Sequence, residues 1–511
     1  MYRKLMFLIS FVALLGLVNI VSADDWDGDT STDWCDGANW DDGSAPGPGD
    51  DAVLKVTGND PLILGPACSP DFDKLEWDLD SSDAITLNIV DATVRFMENE
   101  ESGEGLMTMT ISGTSNVDCW DDRIRWGNHG HGVLNISDDA VLHVNGDLRG
   151  GDEDDGAFDL NMSDGLLVVE GEILCGDDGS GVLTFTGGEV VCERFTISAR
   201  KGGQTGDMVV SGDTEIYIGG GDDPELRLGK DCKEDGGVAS LTMTGGIVSA
   251  EYIRLSASEE SCTHVNVDIQ GGLLIAREEL IVAEDDGVVT VTISGGEIQV
   301  LGDDSLEIDD NGSIDLTGGT LVLAGNKAAE IAELVCVDGK ITGYGIPAGV
   351  VIDYGNLNPG KTTVYGVEGV DPEKAYCPEP ANGADKVQCV TTDVELCWTG
   401  GSGVDRLGGH RVFFGTDEAA VETATTSSDE YLGQTRANIT CYIIGNGLPL
   451  WTDHFWRIDE VNDDFTVTPG DVWKFTTGCE AIDGDTNNDC ILNFLDYADV
   501  ASTWQEEQLW P

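Results

Sequence analysis

Six residues near the C-terminus have the type and spacing to hold a hard cation. Asp485, Asn487, Asp489, Ile491, Asn493 and Asp496 stand at the first, third, fifth, seventh, ninth and twelfth positions of one stretch. Calcium takes six to eight oxygens, and this spacing wraps five side chains and the Ile491 carbonyl around one ion. Cys490 falls where such a loop favours glycine for its sharp turn, and Asp496 replaces the longer glutamate usual at the end. Leu492 is expected to anchor the loop, with Tyr497, Ala498, Ala501 and Trp504 continuing as an amphipathic helix. Ca2+ is therefore the one cofactor the residues imply.

Other candidates for chemistry are sparser. His129 and His131, two apart, would share a strand face and could hold a transition metal, with His143 half a coil later. Neighbouring glycines instead favour a turn with solvated imidazoles. Arg194, Arg254 and Arg277 recur in comparable parts of a repeat and could flank carboxylates, but carboxylates are everywhere in a chain with 96 acidic residues. No Gly-x-Ser-x-Gly elbow, phosphate loop or zinc-protease helix occurs. No catalytic residue is assigned, and the balance favours a protein that is not an enzyme.

The element that would carry any site is a repeat. Apolar doublets return at Met109/Ile111, Leu134/Ile136, Leu160/Met162, Leu183/Phe185, Met208/Val210, Leu241/Met243, Val267/Ile269, Val291/Ile293 and Ile314/Leu316. Residues two apart on a strand face the same way, so each pair points inward. Glycine turns follow, as at Gly187-Gly188, Gly245-Gly246, Gly271-Gly272 and Gly295-Gly296. Most repeats then offer a second inward pair, among them Phe195/Ile197, Leu226/Leu228, Ile253/Leu255, Leu280/Val282 and Leu306/Ile308. One repeat cannot bury its own apolar face, and stacking solves that. The expectation is an all-β chain: a parallel β-helix over 52–370, a β-sandwich over 376–478 and a calcium loop-helix segment over 479–511. The longer step between Val210 and Met243 predicts a bulge or extra strand around 219–235. Trp26, Trp34 and Trp40 predict a Trp-rich cap over 24–51, and Asn326 a capped helix from Ala328 to Val335 that closes the other end.

Composition sets the compartment and excludes some partners. Arg3 and Lys4, the apolar run from Leu5 to Ile20, and Val21-Ser22-Ala23 read as a signal peptide over 1–23, giving a secreted or cell-surface protein with no transmembrane segment after cleavage. A formal charge of −70 repels polyanions, so nucleic acid is not a partner. Most acidic residues are expected to form a solvated coat. Fourteen scattered cysteines suit disulfides in an exported chain, and the six from Cys377 onward favour bridges in the smaller C-terminal modules. Which cysteines pair is open.

Three resemblances follow from these residues. Trp34, Asn39-Trp40, Gly43, Pro46, Asp50 or Asp51 and Ala52, followed by the glycine-doublet repeats, resemble secreted bacterial passenger-type β-helices, which act through their surfaces. Leu396-x-Trp398, Phe455-Trp456-Arg457-Ile458 and Trp473-x-Phe475 are similar to a fibronectin type III-like domain, which makes Trp398 and Trp456 core residues. The loop from Asp485 to Asp496 resembles one calcium-binding half of a dockerin, which implies Asp485, Asn487, Asp489, Asn493 and Asp496 as ligands and a cohesin-like or surface partner; a dockerin carries two such loops, and here there is one. Parallel β-helices also include pectate lyases. The reading preferred is a non-catalytic surface or extracellular-matrix protein with calcium-dependent attachment; the alternative is a polysaccharide-binding or polysaccharide-degrading β-helix. Arginines and carboxylates converging in a lateral groove would favour the alternative, and a plain Thr/Ser/Asp exterior the first.

Overall fold

The structure is a computed structural model. It describes residues 23–479, apart from 56–57, 102, 121–122, 154, 177, 199–202, 222–223, 230–236, 256–263, 285–286, 304–305, 391 and 463–464, and then 490–492, 494 and 496. The chain divides into two compact units, one running to Leu334 with 340–345 and 350–367, the other holding 335–339, 346–349 and the residues from 368 onward.

The first unit is a parallel β-solenoid of about 12 turns. The doublets stack in register without a slip from Met109/Ile111 to Ile314/Leu316. None of the eighteen side chains is more than 2% exposed. The column runs further each way, through Leu87/Ile89 to Ile63 at one end and to Ile341 at the other. Each regular turn carries three strands, and we name their faces by what they hold. After the doublet face comes a middle face, with inward pairs such as Val190/Cys192, Ile216/Ile218 and Leu274/Ala276. The third face holds the second pairs expected from the sequence, stacked from Phe195/Ile197 to Leu306/Ile308. The corners explain the glycines. Gly272 has φ +80°, and a Cβ there would lie 2.6 Å from the Gly245 carbonyl oxygen.

Two expectations need correction. Among the described residues the long step contains no extra strand: Glu225–Leu228 is the ordinary third-face strand beside Phe195–Ile197 and Tyr252–Leu255. The bulge expected around 219–235 falls largely on 222–223 and 230–236, which lie outside the described residues. The stack also starts before residue 52: Ala23–Trp26 already pairs in parallel with Asp51–Leu54. Between those strands Trp34 and Trp40 meet edge to face at 4.7 Å, and Trp34 stacks on Phe72 at 5.5 Å. Trp26, Trp34 and Trp40 are all buried, so they fill the end of the core and offer no stacking platform to solvent. A disulfide joins Cys35 to Cys68.

At the other end, Asn326 Oδ1 accepts from the Ala328 amide at 3.3 Å and helix Ala328–Cys336 follows, burying Ile331 and Val335. The parallel stack then ends on antiparallel strands. Lys361–Gly366 lies beside Thr320–Ala324 on one edge and beside Val350–Tyr354 on the other.

The second unit has two sheets, one of three strands and one of six. Leu396 and Trp398 from the smaller sheet share a core with Val412, Trp456, Ile458 and Phe475 from the larger. Two buried pairs of polar side chains are hydrogen-bonded there, as interior polar groups require. His410 Nδ1 meets Glu460 at 2.5 Å, and Glu460 also accepts from the Gly401 amide at 3.0 Å. Arg457 bonds Asp459 at 2.7 Å and donates to the Val421 and Ala424 carbonyls at the end of helix Glu418–Thr423. Further bridges are Cys336–Cys377, Cys397–Cys441 and Cys479–Cys490. Cys175 and Cys192 are free, buried thiols, and loss of hydration pushes both strongly upward in pKa. Among the described residues no helix is long and apolar enough to cross a membrane.

Candidate functional site: a cleft where one face of the solenoid opens

Positive charge is unevenly placed by the topology, with Arg95 on the middle face and most of the strand cations on the third. Among the described residues the doublet-face strands carry no Lys or Arg; their outward positions are mostly Thr, Asn, Ser, Asp and Val, with Ala84, Leu106, Ala157, His131 and His264. The third-face strands carry Lys74, Arg123, Arg125, Arg149, Arg194, Arg227 and Arg254. Several of these are neutralised within the face. Lys74 sits between Glu76 at 3.0 Å and Glu100 at 2.7 Å, Arg149 between Asp147 at 3.0 Å and Glu172 at 3.6 Å. Arg254 reaches Glu225 at 3.1 Å and Glu284 at 2.6 Å, and the buried Glu225 also bonds Arg227.

One place on that face differs. Neighbouring third-face strands share a parallel ladder throughout, except between 98–101 and Arg123–Trp126. The cause is in the inward column. Register places Asn99 above Leu75 and Glu101 above Trp77, where the rest of the column is apolar or small. A polar side chain driven inward must find partners or cost several kcal/mol, about 1–3 for each unsatisfied group. Both find them by spanning the gap. Asn99 accepts from Trp77 Nε1 at 2.8 Å and donates to the Arg125 carbonyl at 2.7 Å. The Glu101 carboxylate accepts from the Gly127 amide at 2.5 Å and the Asn128 amide at 2.6 Å. Side chains thus replace the missing main-chain ladder, and a cleft of about 430 Å³ opens, lined by Glu98, Asn99, Glu100, Glu101, Arg123, Arg125 and Asn128.

The electrostatics of the cleft are mixed. Burial pushes the Glu101 carboxyl up to about 7, against the two amides and nearby His129, which favour its charged form. A carboxyl raised above its unfolded value near 4.5 contributes stability that is complete below that value and is lost as pH rises through about 7. Glu101→Gln is therefore expected to flatten the fall in stability between pH 4.5 and 7, measured by urea unfolding; an unchanged slope would show that Glu101 is ionised throughout. Arg123 has no carboxylate partner among the described residues, and Arg125 meets only Asp152, at 3.5 Å.

The residues singled out from the sequence do not converge. His129 lies in the turn before strand His131–Ile136 and pairs with Asp155 at 3.4 Å, whereas His131 pairs with Asp159 at 2.9 Å. His143 is on the middle face between Asp118 at 2.9 Å and Glu170 at 3.2 Å. The three imidazoles make no metal site. Burial works against the charged His143 ring, but its two carboxylates outweigh that and raise its pKa. Its stabilising effect should be complete below about 6.5 and fade as pH rises through the raised value. His143→Gln should remove that fading, and a proton NMR titration should give an ordinary histidine value only if the pairing is absent in solution. Arg277 is a corner staple rather than part of an arginine patch: it donates to Ser249 and to the Ile218 carbonyl, both at 2.7 Å, and lies over the Tyr217 ring. Glu395, Cys397 and Cys441 cluster like metal ligands, but the two sulfurs are joined to each other.

Of the calcium-loop residues, Asp485, Asn487, Asp489 and Asn493 lie outside the described residues. Asp496 is buried and helical, and Cys490 takes the left-handed conformation, φ +63°. Leu492 is 59% exposed, and the residues it was expected to anchor lie outside the described residues. The proposed helix from Tyr497 to Trp504 is also outside the described residues.

No protein-family model matches this chain, and no curated protein or solved structure matches it.

Proposed function

We propose that this chain is a secreted, non-catalytic surface or extracellular-matrix protein, with the solenoid as a rigid body and the C-terminal segment as a calcium-dependent attachment. The observation that carries this reading is the unbroken in-register column behind a doublet face made mostly of Thr, Asn, Ser, Asp and Val and free of Lys and Arg among the described residues. Such a wall is built for rigidity and hydration and gathers no reactive groups. Disulfides accord with an oxidising compartment. The two-sheet unit fits the fibronectin type III-like spacer, and the left-handed Cys490, tied to Cys479, fits the turn position of a half-dockerin loop. The attachment partner would be a cohesin-like or other surface protein.

The opened ladder favours a second reading, a polysaccharide-binding or polysaccharide-cleaving β-helix, because arginines and carboxylates do converge there. A polysaccharide-cleavage screen run beside a glycan array separates the two. The first reading expects no new reducing ends or unsaturated products; turnover of any polymer would overturn it.

A further inference from the structure

We infer that the cleft between 98–101 and Arg123–Trp126 binds one unit of a neutral, polyhydroxylated glycan, an inference that rests on the second reading above.

The site is built rather than incidental. Two polar residues, Asn99 and Glu101, stand in a column that is otherwise apolar or small, and their presence costs the solenoid a ladder that neighbouring third-face strands keep. Such a departure from the local packing rule marks a place where something other than stability is served. The volume, about 430 Å³, is of the size of small-molecule sites, about 300–1,000 Å³.

The wall chemistry selects the ligand class. Arg123 and Arg125 can only donate, the carboxylates of Glu98 and Glu100 offer acceptors, and Asn128 does both. Asn128 Oδ1 is buried and accepts from nothing among the described residues. A hydroxyl donates and accepts at once, so a sugar ring satisfies both sets. An anionic group would satisfy the arginines while facing Glu98 and Glu100; an ammonium would do the reverse. The long-range field points the same way, since a chain of formal charge −70 repels polyanions. Screening confines that repulsion to within about 8 Å at physiological salt, and inside that distance the cleft offers no surplus of positive charge.

The test is calorimetry on the full chain with cellohexaose, xylohexaose and mannohexaose, against hexagalacturonate as the acidic probe. At least one neutral hexasaccharide should bind, with at least tenfold loss in Arg123→Ala/Arg125→Ala and in Asn128→Ala. Arg123 and Arg125 are exposed, so that variant should keep the melting temperature of the parent. Tighter binding of hexagalacturonate, lost in the same variants, would overturn the neutral class. Neutral binding unchanged in both variants would overturn the location and leave the polysaccharide reading standing. No binding of any probe would overturn the inference, and the glycan array then decides the reading it rests on.

Discussion

Leu160→Asp is expected to open the solenoid in the middle while leaving its far end folded. Leu160 is fully buried in the doublet column, between Leu134 and Leu183. Truncating such a leucine costs about 2–5 kcal/mol, and a buried carboxylate adds a desolvation penalty of several more. In a stack each turn is held chiefly by its two neighbours, so the loss should spread one or two turns and decay. Hydrogen exchange read by mass spectrometry should show protection falling in His131–Ile136, Ala157–Met162 and Ser180–Phe185, with Gly312–Leu316 still protected. Uniform loss of protection would mean that the solenoid melts as one unit. No loss would mean that the register is wrong.

Calcium should bind the C-terminal loop at about 10⁻⁵ to 10⁻³ M, the weaker end of the range for such loops, because a single loop lacks the partner that normally buttresses it. Asp485, Asp489 and Asp496 repel one another when the loop closes without a cation, so binding free energy becomes ordering free energy. The Asp485→Ala/Asp489→Ala chain should lose this heat in calorimetry and keep the solenoid's melting transition. The comparison with the double variant matters because the acidic coat takes up calcium weakly wherever carboxylates crowd. Identical heats in the two chains would remove the site.

The repeat was legible because its signal is redundant. Each doublet is one instance of a rule stated many times, and period-two burial follows directly from strand geometry. The middle face was harder to see, since its pairs mix Val, Cys and Ala with larger residues and sit between two louder patterns. The cleft was missed for the opposite reason. Glu98-Asn99-Glu100-Glu101 reads as one more acidic stretch in an acidic chain, and only the register to Leu75 and Trp77 reveals that two of the four point inward. The signal was there in principle: this is the strand segment whose alternate positions lack an apolar pair. The turn that the neighbouring glycines favoured keeps His129 off the face of His131, because two residues apart means one face only if both lie in a strand.

The antiparallel strand Lys361–Gly366 has a consequence for the population of molecules rather than for one of them. A stack of identical parallel strands is also the geometry of a fibre, which grows when the last rung accepts the first rung of another copy. Lys361–Gly366 occupies the growing edge of Thr320–Ala324 in the reverse direction and then hands its own outer edge to Val350–Tyr354. A parallel newcomer finds that rung already taken. A fibre would have to extend three faces at once, and on the middle face this strand removes the edge on which a second copy would grow.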